Sequence, residues 1–231
     1  MSPRMVVQKS IETQLDVIAV CDHNASENVP YVLRAALGKD LIVLPGIEVA
    51  SREEVHTLAL FDNLEALQIM QDIVYTALKG LNNQDAFGYQ PIVNESDEVE
   101  GFNERLLIGA TDLTLAEIIT AIHKAGGLAI ASHIDRESFG VIGQLGFIPE
   151  DIHFDALEVS RNLGIKNAGK RFPEYAKLAF IENSDAHFLK DIGSGFTDFI
   201  IAEPTVAEFK MAFESNNGRR IQYHSGKDRS I

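Results

Sequence analysis

The sequence predicts an α/β fold in which short buried strands alternate with helices. Residues 16–21 and 128–132 are apolar runs of the kind that form strands covered on both faces of a sheet. The segments between such runs have helical periodicity and end near glycine or proline. Repeated strand–helix units with buried strands indicate a parallel sheet, either closed as a barrel or open.

The individual elements follow from local signals along the chain. Ser2 and Pro3 indicate a helix start, because serine favours the capping position and proline the first helical position. Gly38 closes the second helix, and Pro45-Gly46 is predicted to stop the second strand. We therefore predict helices at residues 4–14, 28–37, 64–78, 114–125 and 205–214, and strands at 16–21, 41–44, 56–61, 128–132, 156–160, 178–181 and 198–201.

Residues 81–112 interrupt this rhythm, since they are polar, acidic and irregular. A stretch of this length is typical of a functional loop, a lid or a small hairpin insertion, and a surface excursion without function is an equal alternative. We see no linker or internal repeat. The interpretation is one domain over residues 1–231 with an insertion at about 81–112.

Composition narrows the class of protein. The single cysteine, Cys21, excludes an internal disulfide framework, and no apolar run is long enough to span a membrane. Together with the absence of a secretory signal, this predicts a cytoplasmic protein with no membrane partner. The formal net charge of -14 makes nucleic acid an unfavourable partner, except as a small nucleotide. Divalent cations would supply the local positive charge that an anionic substrate needs.

The metal-capable side chains lie next to the predicted strands. In parallel α/β folds the carboxyl ends of the strands meet on one face, so residues distant in sequence converge there. Neutral imidazole and carboxylate together suit Zn²⁺, Mn²⁺ or Fe²⁺. The residues in question are Asp22, His23, Glu48, His56, His133, Asp185 and His187.

A lone histidine at a strand end is more often structural than a ligand, so only the joint placement supports a metal site. Three histidines do not share this placement. His123 lies within a helix, His153 in a loop and His224 near the C-terminus, and we assign all three structural or incidental roles.

Five segments in this order resemble the PHP (polymerase and histidinol phosphatase) superfamily, and the match spans about residues 4–202. The resemblance implies a distorted (βα)7 TIM-like barrel with up to three divalent metals. Many members hydrolyse phosphate esters, and others are polymerase-associated domains, some of them inactive. The segments are 18–24 (IAVCDHN), 45–48 (PGIE), 54–56 (EVH), 129–133 (AIASH) and 183–187 (NSDAH).

The resemblance also implies roles for individual residues. Asp22 would orient neighbouring ligands, and Asp22 or His187 would move a proton to the leaving group. Arg136 would clamp a phosphate through two hydrogen bonds, with Arg161 a weaker candidate. One metal would be held by His23 and His187, a second by Glu48, His56 and His133, and a third by Asp185 with Glu48 as a bridge.

One family feature is absent from the sequence. The superfamily opens with a strand that ends in His-x-His, and these 231 residues contain no such motif. We therefore expect a barrel whose first strand is missing, with two open sheet edges that a homodimer or a strand from another chain would cover.

The function predicted from these residues is metal-dependent hydrolysis of a small phosphorylated substrate, a phosphomonoester or phosphodiester, with one to three metals per chain. The alternative is a degenerate metal-binding or interaction module, inactive without the first motif. A proofreading nuclease-like appendage of a polymerase is a third interpretation, which the net charge and the lack of a polymerase segment disfavour.

Overall fold

The computed structural model describes residues 1–223. Its helices are α1 (Pro3–Glu12), α2 (Val29–Ala36), α3 (Leu64–Ala77), α4 (Gln84–Phe87), α5 (Leu115–Lys124), α6 (Val141–Leu145), α7 (Ile165–Arg171) and α8 (Val206–Phe213), with 3-10 turns at Pro173–Tyr175 and Leu189–Asp191. Its strands are β1 (Val17–Val20), β2 (Ile42–Ala50), β3 (His56–Leu60), β4 (Pro91–Val93), β5 (Val99–Phe102), β6 (Leu128–Ala131), β7 (Ala156–Val159), β8 (Ala179–Glu182), β9 (Asp198–Ile200) and β10 (Arg220–Gln222). None of these helices has both the length and the apolar character that a membrane crossing requires.

The main sheet has six strands in the order β1-β2-β3-β6-β7-β8 and curls into a half-barrel. This confirms the α/β class and the distorted TIM-like architecture. The expectation of a wholly parallel sheet is wrong, because β3 runs antiparallel to both β2 and β6. Only residues 51–55 join β2 to β3, which is too short for the crossover that parallel neighbours need.

Strand β2 is longer than the sequence predicted. It continues through Pro45 and Gly46 to Ala50, although we expected the Pro-Gly pair to end it. Gly46 lies where β1 approaches most closely, and a Cβ there would collide with the sulfur of Cys21. The glycine therefore permits close strand pairing instead of a turn.

The insertion predicted at 81–112 is an ordered excursion that contains the β4–β5 hairpin. Its backbone is held at the start of α2, where the Val93 N–H donates to Asn28 Oδ1 over 3.0 Å. The amide of Asn103 donates to Glu27 Oε1 over 2.8 Å, and Arg105 lies over the ring of Tyr75. These contacts make the insertion a fixed wall beside the carboxyl end of β1.

The half-barrel is open on one side. Within residues 1–223, β1 and β8 are the two edges of the main sheet, as expected for a barrel that lacks a strand. A cavity of about 890 Å³ lies inside the curl. Its wall is apolar along Ile18, Leu58, Ile130 and Ile181, and becomes acidic and imidazole-rich at one end.

Candidate metal centre

Glu48 lies at the middle of the candidate site, and backbone pairing places it there. Beyond the end of β1 the chain still pairs with β2, through a parallel bridge between His23 and Glu48. The Glu48 N–H donates to Asp22 O over 3.1 Å, and the Asn24 N–H donates to Glu48 O over 2.7 Å. His23 and Glu48 are therefore neighbours as a direct result of strand register.

Three imidazoles surround the carboxylate of Glu48, which is only 6% exposed. His23 Nδ1 lies 2.9 Å from Glu48 Oε2, and His56 Nδ1 lies 3.5 Å from the same oxygen. His133 Nε2 lies 3.7 Å from Oε1. The antiparallel direction of β3 explains this convergence, since it brings the first residue of that strand, His56, to the edge where β6 ends.

The electrostatics of the centre favour an ionised Glu48. Burial alone would raise the pKa of Glu48, but the adjacent imidazoles of His23 and His56 hold it well below its usual value. The bond to Glu48 in turn raises the pKa of His23, despite partial burial. Burial lowers the pKa of His133, which favours the neutral imidazole that a metal ligand requires.

The residues present fit a divalent metal. Among the described residues, the Nδ1 atoms of His56 and His133 are buried without a hydrogen-bond partner. Such atoms cost free energy unless something binds them. Donor atoms of His23, Glu48 and His56 lie within 4.8 Å of one another, a spacing compatible with a single ion. A cation beside Glu48 would satisfy Nδ1 of His56, which lies 3.5 Å from that carboxylate.

The second part of the predicted site lies beside this group. The rings of His187 and His23 are 6.2 Å apart, and His187 Nδ1 lies 3.8 Å from Asp185 Oδ1. Asp185 also pairs with Arg136, whose guanidinium nitrogen is 2.7 Å from Oδ2. The structure thus brings the six predicted metal ligands into one group around Glu48 and Asp185, in which the side chain of His187 is the most exposed.

Asp22 is tied to the insertion and has no hydrogen bond to the imidazoles. Its Oδ2 accepts a hydrogen bond of 3.1 Å from Asn28, the same residue that holds β4. Burial raises the pKa of Asp22, and the bond from Asn28 opposes this.

The remaining candidates lie away from the centre. His123 pairs with Asp155 at 2.9 Å, and His153 is exposed, in keeping with structural or incidental roles. His224 lies outside the described residues. Arg161, the weaker candidate for a phosphate clamp, forms an ion pair with Asp191 at 3.7 Å.

Sequence reasoning missed three residues of the site: Asn24, Phe139 and Glu158. Glu158 is 3% exposed at the end of β7, and its Oε2 accepts the His133 N–H over 3.0 Å. A single charged residue in the apolar run at 156–159 was the available signal, because a buried carboxylate needs a reason. Phe139 gave no such signal.

Backbone strain is concentrated at the same place. Asn24, His133, Phe139 and Asp185 all adopt left-handed backbone, with φ between 29° and 63°. Non-glycine residues in this region are uncommon and are enriched where function fixes a side-chain direction. The clustering therefore supports the assignment of this end of the cavity as a site.

Asn24 is expected to be the main stabilising residue of the wall. Its side chain accepts the Ala50 N–H and donates to the carbonyls of Leu107 and Gly109, and it is fully buried. Asn24→Ala leaves these groups unpaired and puts alanine at a positive φ, so we expect a loss of about 3 kcal/mol in free energy of unfolding. Urea denaturation measures it.

The matched control is Asn167→Ala, which removes an exposed asparagine bonded to a single carbonyl. We expect it to cost less than about 1 kcal/mol. Equal costs for the two variants would show that the Asn24 contacts do not anchor the insertion.

Comparisons with known proteins agree with this architecture. A family model described as PHP-associated matches residues 169–217. No curated protein sequence matches the chain significantly. The lesion-specific endonuclease Q from Pyrococcus furiosus superposes with a TM-score of 0.68 at 19% identity, covering 96% of this chain and 53% of the endonuclease.

Two further structures share the fold. Endonuclease Q in complex with a 27-mer duplex substrate, with an abasic lesion at its active site, gives a TM-score of 0.67 at 17% identity over 95% of this chain. A proposed metal-dependent phosphoesterase from Bifidobacterium adolescentis gives 0.59 at 20% identity, over 85% of this chain and 87% of that one.

The extent of these matches differs. The chain spans about half the length of endonuclease Q, 53% in both structures, whereas it matches the phosphoesterase over most of both chains. The motif order, the half-barrel and the PHP-associated match agree with one another. Residues 169–217 match the PHP-associated family model, and the chain shares its fold with the endonuclease Q and phosphoesterase structures.

Proposed function

We propose that the chain binds divalent metal ions around Glu48 and hydrolyses phosphate esters there. The observation that carries this proposal is a buried carboxylate among three imidazoles, two of which have unpaired buried nitrogens. A bound divalent cation supplies an acidified water and neutralises charge on phosphoryl oxygens. Zinc, manganese and iron all suit this donor set, with one to three ions per chain.

Other residues around the centre suit phosphate binding, proton transfer and the fixing of a loop. The side chain of Arg136 is 45% exposed beside Asp185, so its guanidinium can donate two hydrogen bonds to a substrate phosphate. The side chain of His187 is 61% exposed, which suits proton transfer to a leaving group at the mouth of the site. Asp22 is less accessible, and we assign it the fixing of the loop that carries His23.

The test is turnover of p-nitrophenyl phosphate and bis-p-nitrophenyl phosphate with added Mn²⁺ or Zn²⁺. We expect metal-dependent hydrolysis that His133→Ala reduces at least about 100-fold, because one of the buried imidazoles around Glu48 is lost. His153→Ala, the exposed control, keeps wild-type activity. Metal binding without any turnover would favour the alternative, a binding or interaction module.

DNA is a second candidate substrate. Net charge alone argued against nucleic acid, but endonuclease Q, which has the same fold, is described with a duplex substrate at its active site. The fold is therefore compatible with DNA, and the charge argument is weaker than the sequence suggested. Cleavage of a 27-mer duplex that contains an abasic site, but not of the intact duplex, would select this alternative over a small ester.

We also propose a cytoplasmic homodimer, on the ground that β1 and β8 leave two open edges in the described sheet. Light scattering coupled to gel filtration is expected to give twice the chain mass of 25.4 kDa. A monomer at micromolar concentration would contradict pairing between copies.

A further inference from the structure

Phe139 lies directly on the candidate centre. It belongs to the loop that follows β6, and its carbonyl accepts the N–H of His56 over 2.9 Å. Its ring stacks on the imidazole of His56, with centroids 4.6 Å apart and planes only 11° from parallel. One face of the phenyl ring is thus fixed against a residue that lies 3.5 Å from Glu48.

This position is costly for phenylalanine. The φ angle of Phe139 is 63°, a left-handed conformation that a bulky residue rarely adopts and that costs about 1–3 kcal/mol. The loop is also tightly closed behind it, because a Cβ at Gly140 would lie 2.8 Å from the carbonyls of His133 and Arg136. The backbone that carries the ring is therefore closely packed, and the stack on His56 orients the ring.

Burial does not repay this cost in full, since Phe139 remains 41% exposed. Phe61, by contrast, packs in the core at 0% exposure. An apolar ring that is strained, rigid and still open to solvent is suited to contact a ligand. His56 covers one face of the ring, and the exposed part of Phe139 is available to a ligand.

We propose that Phe139 is a stacking platform for a flat aromatic ring carried by the phosphate ester that binds at the centre. The proposal rests on the proposed function and specifies its substrate class: an ester with a nucleobase or a similar planar group next to the phosphate. Because Phe139 stacks on His56 with one face, its other face can stack on a planar ring of the ligand. Stacking of a base on an aromatic side chain tolerates any planar base. Phe139 would then set specificity without taking part in bond cleavage.

The experiment measures binding, so it does not depend on turnover. Manganese-loaded protein is titrated calorimetrically with adenosine 5′-monophosphate, phenyl phosphate and ribose 5-phosphate, each as its methylenephosphonate analogue, which a phosphoesterase cannot hydrolyse. We expect the two aromatic ligands to bind about tenfold more tightly than ribose 5-phosphate. Phe139→Ala removes this preference and leaves ribose 5-phosphate binding unchanged. Phe147→Ala, which removes another exposed phenylalanine, changes neither.

A second variant tests the same proposal by fluorescence. The chain has no tryptophan, so Phe139→Trp introduces a single tryptophan, at the proposed platform. We expect it to retain the aromatic preference and its fluorescence to be quenched by adenosine 5′-monophosphate and not by ribose 5-phosphate. If only the adenosine ligand binds more tightly than ribose 5-phosphate, the platform is specific for nucleobases. If phenyl phosphate gains as much affinity, the platform accepts planar rings in general.

Two results would overturn the proposal. If wild-type protein binds all three ligands equally, or Phe139→Ala weakens all three alike, Phe139 only supports His56, and the metal centre stands without a platform. If none of the phosphate ligands binds in the presence of manganese, the proposed phosphoesterase function fails together with the platform.

Discussion

Glu48→Gln is expected to lower the affinity for Mn²⁺ or Zn²⁺ at least about 100-fold and to abolish phosphoesterase activity. Glu48 is the one carboxylate within 4.0 Å of three imidazoles in the described structure, and those neighbouring imidazoles hold its pKa low, so it stays anionic. A neutral amide of the same size removes the charge that a cation requires. Calorimetric titration of chelator-treated protein measures the affinity.

The control for this variant is Glu150→Gln, which removes an exposed carboxylate. Thermal unfolding without metal verifies that the Glu48 variant still folds. A folded Glu48→Gln protein with wild-type metal affinity would show that the ion binds elsewhere and would remove the basis of the proposed function.

Glu158→Gln is expected to stabilise the metal-free protein at pH 8 but not at pH 5. Burial, with the charges of Glu48 and Asp185 in addition, raises the pKa of Glu158 from 4.5 to about 7 in the folded state. Below pH 4.5 Glu158 is protonated in both the folded and the unfolded protein. The stabilisation that its protonation gives to the folded state is therefore fully present. It is lost as the pH rises to about 7, because the unfolded chain ionises first.

The expected size is at most about 3 kcal/mol, since one pKa unit corresponds to about 1.4 kcal/mol. Glutamine cannot ionise, and its carbonyl oxygen still accepts the His133 N–H. Urea denaturation at both pH values measures the effect, and Glu150→Gln gives the baseline. A constant difference between wild type and Glu158→Gln across this range would mean that Glu158 is already ionised at pH 5.

Much of the site could be predicted because strand ends are readable in the sequence. His23 and His133 each follow an apolar run, and parallel neighbours bring such ends together. Glu48 was predicted for the right edge although β2 does not end before it, since the strand continues past Pro45-Gly46. The signal there was the residue type more than the strand boundary.

Other features depend on three-dimensional contacts that the sequence does not encode locally. The direction of β3 follows from the short 51–55 connection, which resembled an ordinary junction between units. Phe139 acquires its position from a left-handed turn and a hydrogen bond to His56, neither of which has a local pattern. The insertion at about residues 81–112 was predicted as an interruption, but its docking through Asn24 and Asn28 depends on contacts between distant parts of the chain.

The most direct test of a metal centre at Glu48 is anomalous diffraction from crystals grown with zinc, recorded on both sides of the zinc edge. We expect a peak about 2.0–2.2 Å from Glu48 and from at least two of the imidazoles of His23, His56 and His133. Anomalous peaks confined to the protein surface, with none at this end of the cavity, would contradict the account.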